Sequence, residues 1–136
     1  SRVSRGLGDV YKRQVSSIQF LAMGHGWEAW KTMPHERQRL IDLIDQSSSD
    51  SVLFISGDRH RGGLYQLTSS SGKNIVEMTS SSLNLSFTND EEAGPLRVGS
   101  TFVQENYGEI LLNKLTNKLT VNLKDNQGNI VQSVDL

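Results

Sequence analysis

The feature that most constrains the fold of this chain is a short apolar run, VLFI at residues 52–55, that leads into the polar motif GDRH at residues 57–60. An apolar run without polar alternation predicts a strand covered on both faces, as in the parallel sheets of α/β proteins. In an extended segment, Asp58 and His60 would point to the same side. Open α/β sheets bind ligands just beyond the carboxyl ends of their strands. The sequence therefore predicts a functional site after residue 56.

The segments around this run predict a mixed fold. A strand at residues 15–21, a helix that begins at Pro34 and the strand at residues 52–56 form a predicted βαβ unit. The predicted fold class is therefore α/β, in the form of an α+β sandwich in which mainly antiparallel strands follow the βαβ unit. A long loop is expected at residues 80–100, and its acidic run at 89–92 reads as a solvated charge run. The later strands are predicted at residues 63–68, 74–79, 101–105, 109–115, 119–124 and 130–134.

Composition excludes several classes of function. The chain has 136 residues, which suffices for one domain. Its formal charge of −1 gives no indication of nucleic-acid binding, and it has no cysteine for disulfides, thiolate sites or thiol catalysis. No apolar stretch is long enough to span a bilayer, so no transmembrane segment is expected.

The first residues differ in character from the rest of the chain. Residues 1–14, SRVSRGLGDVYKRQ, have no useful periodicity and resemble a translated adaptor sequence. We therefore expect them to be non-native and set them aside from the fold. The expected domain then covers residues 15–136, as the C-terminal part of a longer protein.

The residue types in and after the GDRH motif suit phosphate chemistry. Asp58 and His60 are candidate catalytic residues and metal ligands, because a carboxylate and an imidazole aimed at one point suit a metal ion. Arg59 and Arg61 are candidate substrate-binding residues, since guanidinium groups bind phosphate oxygens as planar forks. His25, between two glycines, is either a second imidazole ligand or an exposed loop histidine. The simpler alternative for the motif is a turn capped by Asp58 followed by an ordinary surface histidine.

Several segments, taken in order, resemble the C-terminal half of PhoD-type alkaline phosphatases, which are calcineurin-like metallophosphoesterases. The similar segments include SSIQF at residues 16–20, HGWEAW at 25–30, PHERQRL at 34–40 and FISGDRH at 54–60. Later segments with the same resemblance are EMTSS at 77–81, SLN at 82–84 and NYG at 106–108. The resemblance covers about residues 15–136, and its order and spacing are more specific than any one segment.

The resemblance implies a metal-dependent phosphoric ester hydrolase with a dinuclear centre of iron with calcium, zinc or manganese. In that family a Gly-His-x-His or Gly-Asp-x-His segment supplies the last metal ligands, which implies that His60 binds metal and that Asp58 binds it directly or through water. Gln19 falls near a position that often holds a histidine ligand. The resemblance also implies a phosphate ester substrate and an extracytoplasmic location.

The same motif could instead be the Asp-x-His that opens these domains. Gly-Asp and Gly-Asn-His segments should then follow His60, and neither occurs. We therefore interpret GDRH as the last metal-binding motif of such a domain. The ligands of the opening motifs are then expected in a missing N-terminal part of the domain. The isolated chain is then expected to bind metal weakly and to be inactive.

Two other functions remain open. One is a non-catalytic, β-rich binding or accessory domain in which Asp58 and His60 are incidental. The other is a single-metal hydrolase that uses His25 and His60.

Overall fold

A computed structural model describes residues 11–88 and 94–136 as two packed β-sheets and one α-helix. The elements are β1 (Tyr11–Val15), α1 (Pro34–Gln46), β2 (Ser51–Ser56), β3 (Gly62–Thr68), β4 (Asn74–Ser80), β5 (Arg97–Phe102), β6 (Asn106–Asn113), β7 (Lys118–Asp125) and β8 (Ile130–Asp135). The larger sheet has the order β1-β2-β4-β3-β5, and the smaller one has the order β6-β7-β8. The mixed α/β composition with mostly strands agrees with the predicted class. The acidic run at 89–92 lies outside the described residues.

Parallel pairing is confined to one side of the larger sheet. β2 pairs in parallel with β1 and with β4, while β3 is antiparallel to both β4 and β5. All pairs in the smaller sheet are antiparallel. The chain passes from β1 through α1 to β2, so the expected strand-helix-strand unit is present. The strands predicted at residues 63–68 and 74–79 correspond to β3 and β4, which form an antiparallel hairpin.

The strand β2 is covered on both faces, as its apolar run predicts. Val52 and Phe54 belong to a core cluster with Ile41 and Ile44 of α1, whereas Leu53 belongs to a cluster with residues of β7. Alternate residues of a strand point to opposite faces, so one strand contributes to two cores. The larger sheet is therefore the middle layer, with α1 on one side and the smaller sheet on the other.

The first predicted strand is displaced in the structure. Residues 16–29 are irregular, and the strand is β1, Tyr11–Val15. Phe20 and Leu21 are fully buried. Their apolar character therefore indicates burial correctly, but the strand predicted for them is wrong. Their backbone N–H groups bind a side-chain carboxylate instead of a neighbouring strand.

Residues 11–14, which we set aside, are part of this sheet. The backbone of β1 pairs with residues 51–55 of β2, while side chains 12–15 are exposed. The described fold thus begins four residues before position 15, whereas residues 1–10 lie outside the described range.

The start of the helix agrees with expectation, whereas the start of β5 does not. The helix begins at Pro34 as predicted. The strand β5 is Arg97–Phe102. It begins inside the predicted long loop, before the start of the strand expected at residues 101–105. Within the described parts of the chain, no helix has the length and apolar character needed to cross a membrane.

The two sheets approach each other closely at Gly62, where no side chain fits without a shift of its neighbours. A Cβ atom on Gly62 would lie 2.7 Å from Cδ1 of Leu123 and 2.9 Å from Oδ1 of Asn106. Both neighbours are buried, and Asn106 is held by hydrogen bonds to Ser80 and to the carbonyl of Gln104. Neither neighbour can move aside cheaply.

We predict that Gly62→Ala lowers the free energy of unfolding by about 1–3 kcal/mol, because an added methyl group overpacks the space between the sheets. Gly26→Ala is the matched control, since no atom lies within 4 Å of the added Cβ there. Urea denaturation measures both variants. Equal stabilities for the two variants would contradict the packing described here.

Candidate functional site at the end of strand β2

The GDRH motif adopts a strained turn at the end of β2. Asp58 and His60 have φ values of 71° and 52°, in the left-handed region that non-glycine residues seldom occupy. The extended backbone expected after β2 is therefore wrong, and strand alternation does not relate these two side chains. Such strain costs on the order of 1–3 kcal/mol per residue and is concentrated at functional sites in proteins. It supports a functional interpretation of the turn.

The His60 ring is fixed by the segment that precedes β5. Its Nδ1 lies 3.0 Å from the carbonyl oxygen of Leu85, and its ring stacks on Phe87 with centroids 4.2 Å apart and planes 5° from parallel. The N–H of Phe87 also donates to the carbonyl of His60 at 3.0 Å. A carbonyl only accepts hydrogen bonds, so Nδ1 carries the proton and Nε2 of the neutral ring keeps its lone pair. This tautomer leaves the lone pair of Nε2 to bind a metal.

The two arginines of the motif occupy different positions. Arg59 is 7% exposed, and its guanidinium carbon lies 6.0 Å from the ring centroid of Trp27. Arg61 is also buried, and its Nη2 donates to the carbonyl of Phe87 at 3.1 Å. Arg59 thus lies beside the indole of Trp27, whereas Arg61 binds the segment that holds the His60 ring.

These residues meet in a cleft of about 290 Å³. Three of the six predicted site residues line it, namely Asp58, Arg59 and His60. The other lining residues are Trp27, Glu28 and Phe87. These three residues were not among the site residues predicted from the sequence. Trp27 and Glu28 lie within three residues of His25, a candidate ligand, and this proximity could have identified them. Nothing in the sequence links Phe87 to His60.

Gln19 and His25 lie outside the lining of this cleft. Gln19 is fully buried, and its amide nitrogen donates to the hydroxyl of Tyr65 at 3.0 Å and to that of Thr79 at 2.8 Å. Nδ1 of His25 accepts the backbone N–H of Trp27 at 3.1 Å. The proton of a neutral His25 ring is then on Nε2, so this ring offers no lone pair there for a metal.

Glu77 is a fully buried carboxylate in β4. It belongs to the EMTSS segment of the resemblance but was not predicted as a site residue. Its two oxygens accept the N–H groups of Phe20 at 2.7 Å and Leu21 at 2.6 Å. Burial raises the pKa of Glu77, and the hydrogen bonds from Phe20, Ser56 and Leu21 oppose that rise. An acid inside an otherwise apolar strand was the available signal, because a buried carboxylate requires partners.

The donor set is smaller than a dinuclear centre requires. Within residues 11–88 and 94–136, no three His, Asp or Glu side chains lie close enough together to hold a metal ion. The tautomer of His60 suits a ligand, and Asp58 provides a neighbouring carboxylate. These residues fit part of a metal site and not a whole one.

Comparison with known proteins does not assign the chain to a family. No family model matches it, and no curated protein or solved structure matches it significantly. The phosphatase resemblance therefore depends on the short sequence motifs alone.

We predict that Glu77→Ala lowers the free energy of unfolding by at least about 2 kcal/mol, because two buried N–H groups lose their acceptor. Glu77→Gln recovers part of this loss, since its amide oxygen can still accept one of them. Urea denaturation measures stability, and amide hydrogen exchange of Phe20 and Leu21 reports the loss locally.

The exposed Glu36 of α1 provides the control. Glu36→Ala should stay within about 0.5 kcal/mol of the parent chain. If Glu77→Ala matched this control, or if the Phe20 and Leu21 amides stayed protected in it, Glu77 would not hold this segment.

Proposed function

We propose that this chain carries the closing metal ligands of a metal-dependent phosphoric ester hydrolase. The observation that carries the proposal is the 3.0 Å contact of His60 Nδ1 with the carbonyl oxygen of Leu85, in a strained turn after a buried parallel strand. Asp58 and Arg59 line the same cleft. An imidazole, a carboxylate and a guanidinium in one cleft suit a phosphate ester held by a metal.

Each side chain has a distinct role in this proposal. His60 binds a metal through Nε2, and Asp58 binds it directly or through water. Arg59 contacts phosphate oxygens, while Arg61 positions His60 through its bond to the Phe87 carbonyl. The metal would lower the pKa of a bound water and polarise the phosphoryl group. Gln19 has no direct role in this proposal, since its amide donates to Tyr65 and Thr79 outside the cleft.

A complete two-metal centre needs ligands beyond those described. Two ions clamp the attacking and leaving oxygens of a phosphoryl group, and each ion requires several protein ligands. We propose that the further ligands come from an N-terminal part of the same domain. The ions would be iron with calcium, zinc or manganese.

We predict that Mn²⁺ broadens the His60 imidazole NMR signals before those of His35. The chain has three histidines, so each imidazole can be assigned. His35 is exposed on α1 and serves as an internal control for non-specific binding. His60→Ala should abolish the tighter binding phase, and His35→Ala should leave it unchanged. Equal broadening of His35 and His60 would favour a non-catalytic domain.

We predict no appreciable turnover of an aryl phosphate by the 136-residue chain in the presence of Zn²⁺ or Mn²⁺, because one imidazole and one carboxylate do not form a two-metal centre. A colorimetric phosphatase assay checks this. Clear turnover that His60→Ala removes and His25→Ala preserves would show that the chain has a self-sufficient site. Turnover that needs both histidines would favour the single-metal hydrolase.

A further inference from the structure

Two aromatic rings at the cleft are exposed to solvent. Trp27 is 66% exposed and Phe87 is 46% exposed, although both line the same cleft as Asp58 and His60. By contrast, the rings of Phe20, Phe54 and Tyr65 are almost fully buried, and Tyr107, which is 39% exposed, does not line this cleft. Exposed aromatic surface beside polar groups is typical of ligand-binding sites.

Both rings are held by contacts that leave a large part of each ring exposed. The N–H of Trp27 donates to His25, and the guanidinium of Arg59 lies over the indole. The N–H of Phe87 donates to His60 and its carbonyl accepts from Arg61. A ligand that binds here does not have to order these residues first, which lowers the entropic cost of binding.

We propose that the cleft binds a phosphate ester whose alcohol part contains a planar aromatic ring. The ring contacts the exposed faces of Trp27 and Phe87, and the phosphate group contacts Arg59. The volume of about 290 Å³ suits one small aromatic group. This inference rests on the proposed function for the identity of the phosphate group, but its aromatic part depends only on these two rings.

The experiment compares phenyl phosphate with glycerol 2-phosphate, which has no ring. Binding to the 136-residue chain is measured by NMR titration in EDTA, so that the result does not depend on a metal. We expect phenyl phosphate to bind about tenfold more tightly, in line with the contribution of one stacked ring. Trp27→Ala and Phe87→Ala should each remove most of this preference, which is measured as the ratio of the two affinities.

Two variants serve as controls. Trp27→Phe keeps a ring and should retain part of the preference, while Leu115→Ala changes a side chain that is 98% exposed and does not line the cleft. Because Trp27 and Phe87 are exposed, their replacement should not unfold the chain, which circular dichroism checks. Equal affinity for the two esters, no binding of phenyl phosphate, or equal effects of Leu115→Ala and Trp27→Ala would overturn the inference.

Failure of this inference can be distinguished from failure of the proposed function. A ring preference in EDTA together with no selective Mn²⁺ effect on His60 would retain the aromatic site and reject the metal site. Selective Mn²⁺ binding at His60 without a ring preference would retain the metal site and reject the aromatic site.

Discussion

The buried carboxylate of Glu77 is the interaction on which the site depends. Residues 16–29 have no regular structure, and their buried residues 20–22 pack on the face of the larger sheet that α1 covers, so their backbone groups need other partners. Glu77 accepts two of these N–H groups, and Arg37 of α1 donates to the carbonyl of Phe20. The attraction between the charges of Glu77 and Arg37 adds to this contact. The segment that leads to Trp27 is thereby attached to β4 and α1.

A second set of contacts attaches the other wall of the cleft. The turn at Asp58 and His60 is strained, and the segment around Phe87 holds it through a ring stack and three polar contacts. A buried hydroxyl pair, Ser56 and Thr79, lies behind this turn with oxygens 2.9 Å apart. The cleft is thus formed by two irregular segments held on a regular sheet, an arrangement common for sites placed on loops.

The sequence predicted those parts of the fold that depend on local pattern. The apolar run of β2, the proline that begins α1 and the hairpin of β3 and β4 were all readable from residue types and spacing. The segment at residues 16–29 was not, because Phe20 and Leu21 are buried in an irregular backbone whose acceptor, Glu77, lies more than fifty positions away. Phe87 was unpredictable for the same reason. Contacts that are distant in sequence leave no periodic signal.

The central claim is that His60 offers Nε2 to a metal while Nδ1 remains bonded to the carbonyl of Leu85. Anomalous diffraction from crystals of the chain soaked in Zn²⁺ tests it most directly. The account predicts an ion about 2.1 Å from Nε2 of His60, with Asp58 beside it. Zinc bound only at other side chains, or a His60 ring turned so that Nε2 faces Leu85, would contradict it.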